Sequence, residues 1–224
     1  MNTKNSVLIT GSSRGLGKEL ALIFARSGFR VIIHGLEPDE LKNTKKEIAK
    51  LCDCVAICGD LKKETTLKKL AAAIGVYKVK VLVNNAGILC PYLPLEKLTD
   101  AGIQEILDVN LIATIKLTKH AYEYFKKMGN CAIININSRS GLSIQRYRSI
   151  YSASKWGLKG FTDVLRIEAQ ENKVRVLGVY PCRLKKARKE TRGLDVSAAA
   201  EQIYNFYKKS VKNDLILNES KDTQ

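Results

Sequence analysis

Residues 6–17 read Ser6-Val7-Leu8-Ile9-Thr10-Gly11-Ser12-Ser13-Arg14-Gly15-Leu16-Gly17. The stretch is a short apolar run that breaks into a turn with three glycines. The run at 6–10 has the length of a strand, and a helical pattern starts at about residue 16. Glycines in such a turn let the backbone bend sharply and come close to a pyrophosphate. The helix that follows presents its N-terminus, which favours negative charge. Taken alone, such a turn is weak evidence, because glycines also serve plain tight connections. Its place directly after the first strand is what points to phosphate.

The same alternation continues along the chain. Strands are expected at 30–34, 54–58, 79–84, 131–137 and 174–180, and helices at about 16–27, 38–51, 63–74, 103–128, 152–171 and 197–209. Strands separated by helices predict a parallel sheet covered on both faces. Right-handed crossovers then give a doubly wound α/β fold. No internal repeat or linker interrupts the pattern, so 1–224 reads as a single domain. Arg183–Arg192 carries six basic side chains and one acid, and 183–195 reads as a basic loop over the substrate. A brief apolar run at 215–217 follows, and the polar tail at 218–224 is expected to fray.

Composition narrows the class. With 45% hydrophobic and 27% charged residues in 224, one real core is affordable. No run of about 18 apolar residues exists to span a bilayer, and the N-terminus lacks a secretory pattern, so a cytoplasmic protein is expected. The six cysteines (Cys52, Cys54, Cys58, Cys90, Cys131 and Cys182) are too sparse for a disulfide scaffold, and no metal site is expected. Cys54–Cys58 reads as a strand that uses cysteine as a small apolar residue. The formal charge of +16 favours anionic partners. The lysines are spread over nearly every helix, as at Lys42, Lys45, Lys46 and Lys50, and no RNA-binding signature is present. Nucleic acid is therefore not an expected partner.

Two further segments carry chemistry. Asn84-Asn85-Ala86-Gly87 ends the fourth strand, where open α/β sheets hold ligands. Tyr151 and Lys155 stand four apart on a helix and so share a face. A nearby ammonium stabilises phenolate and should lower the tyrosine pKa, fitting Tyr151 for proton exchange with a carbonyl oxygen. Each motif alone has an ordinary explanation: a polar turn for the first, a surface pair for the second.

Together, in this order and spacing, the motifs resemble the short-chain dehydrogenase/reductase family over residues 5 to about 181. The resemblance implies a Rossmann-type fold and hydride transfer between a nicotinamide dinucleotide and a small carbonyl or alcohol. It implies that the turn holding Gly11, Ser13, Arg14, Gly15, Leu16 and Gly17 lines the pyrophosphate. Asp60 would bond the adenine amino group beside Leu61, and Asn85, Ala86, Gly87 and Pro181 would border the cofactor. Ser138 would polarise the substrate oxygen and Tyr151 would exchange its proton. Lys155 would hold the ribose, and Asn110 would position a water toward Lys155. A homodimer or homotetramer through the two long helices is implied as well. The chain departs from the family pattern after Pro181, where Cys182 replaces the usual glycine and no threonine occurs before Thr191.

Strand two ends in His34-Gly35-Leu36 with no acid at its tip, although Glu37 follows closely. Arg14 matches the basic residue that many family members aim at a 2′-phosphate. NADP is therefore expected, with NAD still open, and carbonyl reduction as the direction. Arg139, Arg146 and Arg148, together with Arg183–Arg192, flank one cleft, which points to an anionic substrate or merely repeats the general charge. His34 and His120 read as bystanders. The alternative to a reductase is a non-catalytic dinucleotide-binding regulatory or scaffold protein of the same fold.

Overall fold

The apolar runs become β1 (Ser6–Ile9), β2 (Arg30–Gly35), β3 (Cys54–Cys58), β4 (Val79–Asn84), β5 (Cys131–Ile136), β6 (Val174–Tyr180) and β7 (Asp214–Ile216). The computed structural model describes residues 5–185, 190, 192–209 and 212–219. All seven strands are parallel, in the order β3-β2-β1-β4-β5-β6-β7. Strand order reverses between β1 and β4, and there the loops at the carboxyl ends part to leave a crevice.

Helices α1 (Gly15–Arg26), α2 (Pro38–Ile48), α3 (Glu64–Val76), α4 (Asp100–Leu107), α5 (Ala113–Met128), α6 (Ser149–Ala169) and α7 (Val196–Lys209) cover the two faces. Alternate strand residues point to opposite sides of a sheet, and two cores result. Val7, Ile9, Val31, Ile33, Val81 and Val83 pack with Leu20 and Phe24 of α1, Leu41 and Ile48 of α2, and Ile203 of α7. Leu8, Ile32, Leu82 and Ile133 pack on the other side with Leu70 of α3, Leu117 and Phe125 of α5, and Leu165 of α6. Among the described residues, no helix is long and apolar enough to cross a membrane.

Three of the differences from the sequence expectation bear on the site. The helix expected over 103–128 is two helices joined by a π turn at Asp108–Ile112. Its start is earlier because Thr99 caps it, the hydroxyl accepting from the Gly102 N–H at 3.1 Å. α6 starts at Ser149 rather than 152, which puts Tyr151 inside the first turn. β2 extends to Gly35, where a Cβ would lie 2.7 Å from the Ser13 hydroxyl; only glycine lets the turn settle there. Of the basic loop expected at 183–195, residues 186–189 and 191 lie outside the described residues, as do 220–224 of the tail. The rest of that loop folds back on itself, Leu184 bridging to Leu194.

Phe24 ties α1 to α7. It is fully buried, with edge-on contacts at 5.1 Å to Phe29 and to Tyr204. Phe24→Ala should cost about 3–5 kcal/mol, read as a lower urea midpoint, while Phe24→Leu should cost clearly less. A Phe24→Leu variant as stable as wild type would show that the ring geometry contributes nothing.

Candidate active site

The β1–α1 turn is held by the end of β4. The Thr10 hydroxyl accepts from the backbone N–H groups of Asn85 and Ala86, each at 3.0 Å. The Asn85 side-chain amide donates back to the Thr10 and Gly11 carbonyls at 3.0 and 2.9 Å. Gly11 has φ +62°, and a Cβ on it would come 2.8 Å from the Ala86 Cα. A Cβ on Gly17 would strike the Gly11 carbonyl and, at 2.5 Å, the Asn85 amide nitrogen. The turn is thus a cradle that side chains would fill.

α1 opens at Gly15 with no side-chain cap, so its first N–H groups stay available for an anion. Leu16 is buried beneath this end, and Ser13 offers its carbonyl to the Thr44 hydroxyl at 2.7 Å. Across the crevice, the Asp60 carboxylate accepts from the Lys62 N–H at 2.9 Å, beside buried Leu61. These residues fit a dinucleotide: glycines leave room for a pyrophosphate, and the Asp60 carboxylate offers an acceptor to its other end.

The second half of the site lies over β4, β5 and α6. Asn110, in the π turn, is 1% exposed. Its carbonyl accepts from the Ile88 N–H at 2.8 Å, and its amide donates to the Ile88 carbonyl at 3.0 Å and the Ser154 hydroxyl at 3.3 Å. A Cβ on Gly87 would lie 3.2 Å from Asn110 Oδ1 and 3.7 Å from Lys155 Nζ, so Gly87, Asn110 and Lys155 meet at one point. Ser138 opens the short 3-10 turn Arg139–Gly141, its hydroxyl accepting from the Ser140 N–H at 3.1 Å. Pro181 closes the far side, accepting from the Arg139 N–H at 3.1 Å.

Lys155 is 4% exposed. Its ammonium donates to the Ile136 carbonyl at 3.3 Å, and burial lowers its pKa to about 8. Tyr151 does not follow the sequence expectation. Burial raises its pKa, and a hydrogen bond with Ser138 and the charge of Arg148 pull it partly back. Lys155 is not among those causes: its Nζ stands 5.8 Å from the Tyr151 ring centroid and is engaged by Ile136. The expected lowering by the lysine is therefore corrected to a raised phenol.

Several residues of the site escaped the sequence reading. Asn137 holds the Lys155 carbonyl at 3.1 Å and accepts from the Ser138 N–H at 2.8 Å. Asn84 donates to Thr118 and to Asn135, both at 2.8 Å, and Asn135 donates to Thr162 at 2.9 Å. Asparagines in otherwise apolar strands were the available signal. His34 was read as a bystander, yet both of its ring nitrogens contact the site's backbone. Glu40 pairs with Arg14 at 3.1 Å. Cys182 needs no positive φ, so the loop after Pro181 accepts it without strain, its N–H donating to the Leu217 carbonyl at 3.1 Å.

Comparison with known proteins places this geometry. The short chain dehydrogenase family matches residues 5–195. An uncharacterized oxidoreductase of Thermotoga maritima is 35% identical over 178 residues, covering 78% of this chain and 70% of the relative. A D-beta-hydroxybutyrate dehydrogenase of Rhizobium meliloti is 31% identical over 187 residues, 80% of this chain and 70% of that one. Among solved structures, a short-chain dehydrogenase from Sphingobium yanoikuyae in complex with NADPH superposes with a TM-score of 0.85. It has 22% identity and covers 95% of this chain and 87% of that chain; the likeness is one of fold.

Because the folded pKa of Lys155 lies below its ordinary value of 10.5, the unfolded chain binds more protons between the two values. Stability contributed at this site therefore rises with pH through that window. Relative to Lys155→Met, the wild type should gain about 2 kcal/mol between about pH 7 and 9.5, read from denaturant midpoints. A pH-independent difference would show that Lys155 is not buried as described.

Proposed function

The chain belongs to the short-chain dehydrogenase/reductase family and is an NAD(P)-dependent oxidoreductase; on that footing we propose that it is an NADPH-dependent reductase of small anionic carbonyl compounds. The observation that carries the reading is that Gly87, Asn110 and Lys155 meet at one point beside Tyr151 and Ser138; the direction follows from the proposed preference for NADP. The Tyr151 phenol is protonated at neutral pH, as a proton donor to a carbonyl oxygen must be. The cofactor, when bound, supplies the hydride. Ser138 holds the substrate oxygen beside Tyr151, and Lys155 binds the ribose from its buried position. Asn110 keeps the Ile88 peptide and the neighbourhood of Lys155 in place, and its proposed role is to order a water there. Gly11, Ser13, Arg14, Gly15, Leu16 and Gly17 cradle the pyrophosphate, while Asp60, Leu61, Asn85, Ala86, Gly87 and Pro181 border the rest of the cofactor.

The preference for NADP rests on Arg14. Its side chain is 80% exposed and paired with Glu40. An exposed pair of that kind is worth about 0–1 kcal/mol, whereas a hydrogen bond to a charged phosphate contributes about 1.5–3 kcal/mol. A 2′-phosphate therefore wins Arg14 from Glu40. Glu37, the acid that would favour NAD, is exposed at the N-cap of α2. The solved relative in complex with NADPH agrees with this preference.

The anionic substrate rests on Arg148. Its guanidinium lies 3.7 Å over the Tyr92 ring and 5.3 Å from the Tyr151 ring centroid. Its buried Nε has no hydrogen-bond partner among the described residues. Arg139 and Arg146, by contrast, are exposed and engaged elsewhere, with Asn218 and over Tyr147. A hydroxy acid also names the Rhizobium relative. Assembly into a homodimer or homotetramer is proposed through α5 and α6, where Trp156, Val164 and Ile167 are exposed.

Tyr151→Phe should lower turnover about 10²–10⁴-fold while NADPH still binds, followed by intrinsic fluorescence; unchanged turnover would remove Tyr151 from the mechanism. Arg148→Gln should lower kcat/KM for oxo acids at least tenfold more than for their uncharged esters. Equal losses on both would overturn the anionic substrate. In the same titration NADPH should bind more tightly than NADH, and Arg14→Ala should narrow the gap.

A further inference from the structure

His34, at the carboxyl end of β2, is the one buried histidine of the described residues, 3% exposed, and the mechanism above makes no use of it. The Gly11 N–H donates to its Nδ1 at 3.3 Å, and its Nε2 lies 3.0 Å from the Gly59 carbonyl oxygen. A carbonyl oxygen only accepts, so Nε2 carries the proton; an N–H only donates, so Nδ1 is bare. Both bonds exist together only for the neutral ring in that single tautomer.

The backbone of the same residue holds the next position of the turn. The His34 carbonyl accepts from the Ser12 N–H at 2.8 Å, and the His34 N–H donates to the Ser12 hydroxyl at 3.0 Å. On the other side, the Gly59 N–H donates to the Gly35 carbonyl at 3.0 Å. Gly59 immediately precedes Asp60, the residue at the adenine end. One imidazole thus spans the two ends of the crevice, with the pyrophosphate turn on Nδ1 and the adenine loop on Nε2.

We propose that His34 is a positioning residue for the dinucleotide: its neutral ring sets the spacing between the Gly11 turn and the Gly59–Asp60 loop, and a second proton on the ring releases the cofactor. The inference rests on the reading that a dinucleotide binds at this turn. A proton on Nδ1 would set N–H against N–H, so the Gly11 peptide would have to rotate out of its cradle. Burial opposes that proton, lowering the pKa below the usual 6.5, while the Gly59 bond and the charge of Asp60 work partly against burial. Asp60 is the charged group that acts on the ring from the β3 side; Gly11 and Ser12 bring none from the turn. The stabilisation from the neutral ring is complete above pH 6.5 and is lost as pH falls toward the depressed folded value.

The test compares wild type, His34→Asn and His34→Leu. Asparagine keeps an acceptor for the Gly11 N–H and does not titrate; leucine keeps the volume and neither bond. NADH is the probe for the pH series, because it has no 2′-phosphate whose own titration would intrude, and NADPH serves for comparison near pH 7.5. Wild-type NADH affinity should fall at least tenfold on an acid limb below pH 6.5. In His34→Asn, which can keep the Gly11 bond but not the Gly59 bond, affinity at pH 7.5 should lie between those of wild type and His34→Leu, and the limb should be lost. His34→Leu should weaken binding at least tenfold at every pH, with the loss on cofactor KM more than on kcat. An acid limb that survives in His34→Asn, or wild-type affinity in a folded His34→Leu, overturns the proposal. Nitrogen NMR of the ring tests it without cofactor: a protonated Nδ1 at pH 7.5 refutes the positioning role. If the ring shows the expected tautomer but neither dinucleotide binds at any pH, the cofactor reading has failed, and the role of His34 falls with it.

Discussion

The tie between Thr10 and Asn85 is the interaction on which the cofactor end of the molecule depends. A turn with glycines at 11, 15 and 17 loses more backbone freedom on folding than any other composition would, and it packs few side chains to compensate. Four hydrogen bonds between the Thr10–Gly11 backbone and hydroxyl and the Asn85–Ala86 segment hold it instead. They also join the loops that follow β1 and β4 where strand order reverses, so the turn is held against Asn85 and Ala86. Glycine at 17 follows from the same tie, because its Cα lies against the Asn85 amide and the Gly11 carbonyl.

The other half of the site is built from buried polar groups. Asn110, Asn137, Asn84, Asn135, Thr118 and Thr162 are all buried, and each makes hydrogen bonds within the network. A lost bond there would cost about 1–3 kcal/mol, so the network helps to tie β4 and β5 to α5 and α6. Burial of Lys155 and Tyr151 has a chemical consequence as well. It pushes both groups toward their neutral forms, a proton-bearing phenol beside an amine that gives up its charge easily.

The net charge of +16 acts through position. Many basic side chains stand in exposed pairs, such as Lys68 with Glu64, which contribute little to stability. Arg14, beside the glycine turn, and Arg148, packed against Tyr92 and Tyr151, are the two that the proposed function assigns to anions. A general positive field draws anions in; on the proposed function, the two placed guanidinium groups are what would discriminate among them.

From the sequence alone, the alternation of apolar runs and amphipathic stretches determined a parallel α/β sheet with helices on both sides. The glycines after β1, together with the Asn-Asn-Ala-Gly and Tyr-x3-Lys segments, determined where its chemistry should lie. Those features are local: strand burial, turn chemistry and helical spacing are all carried by neighbours in the chain. The tertiary structure alone decided the rest. The π turn at Asp108–Ile112 exists because Asn110 bonds Ile88, a residue 22 positions away, and periodicity carries no trace of such a partner. Tyr151 and Lys155 share a helix face as their spacing requires, yet the pKa of the tyrosine is set by burial, Ser138 and Arg148, because the lysine is held by β5. His34 read as a bystander for the same reason. Its two partners, Gly11 and Gly59, lie 23 and 25 residues away on either side, and only the order of the strands brings both to one ring.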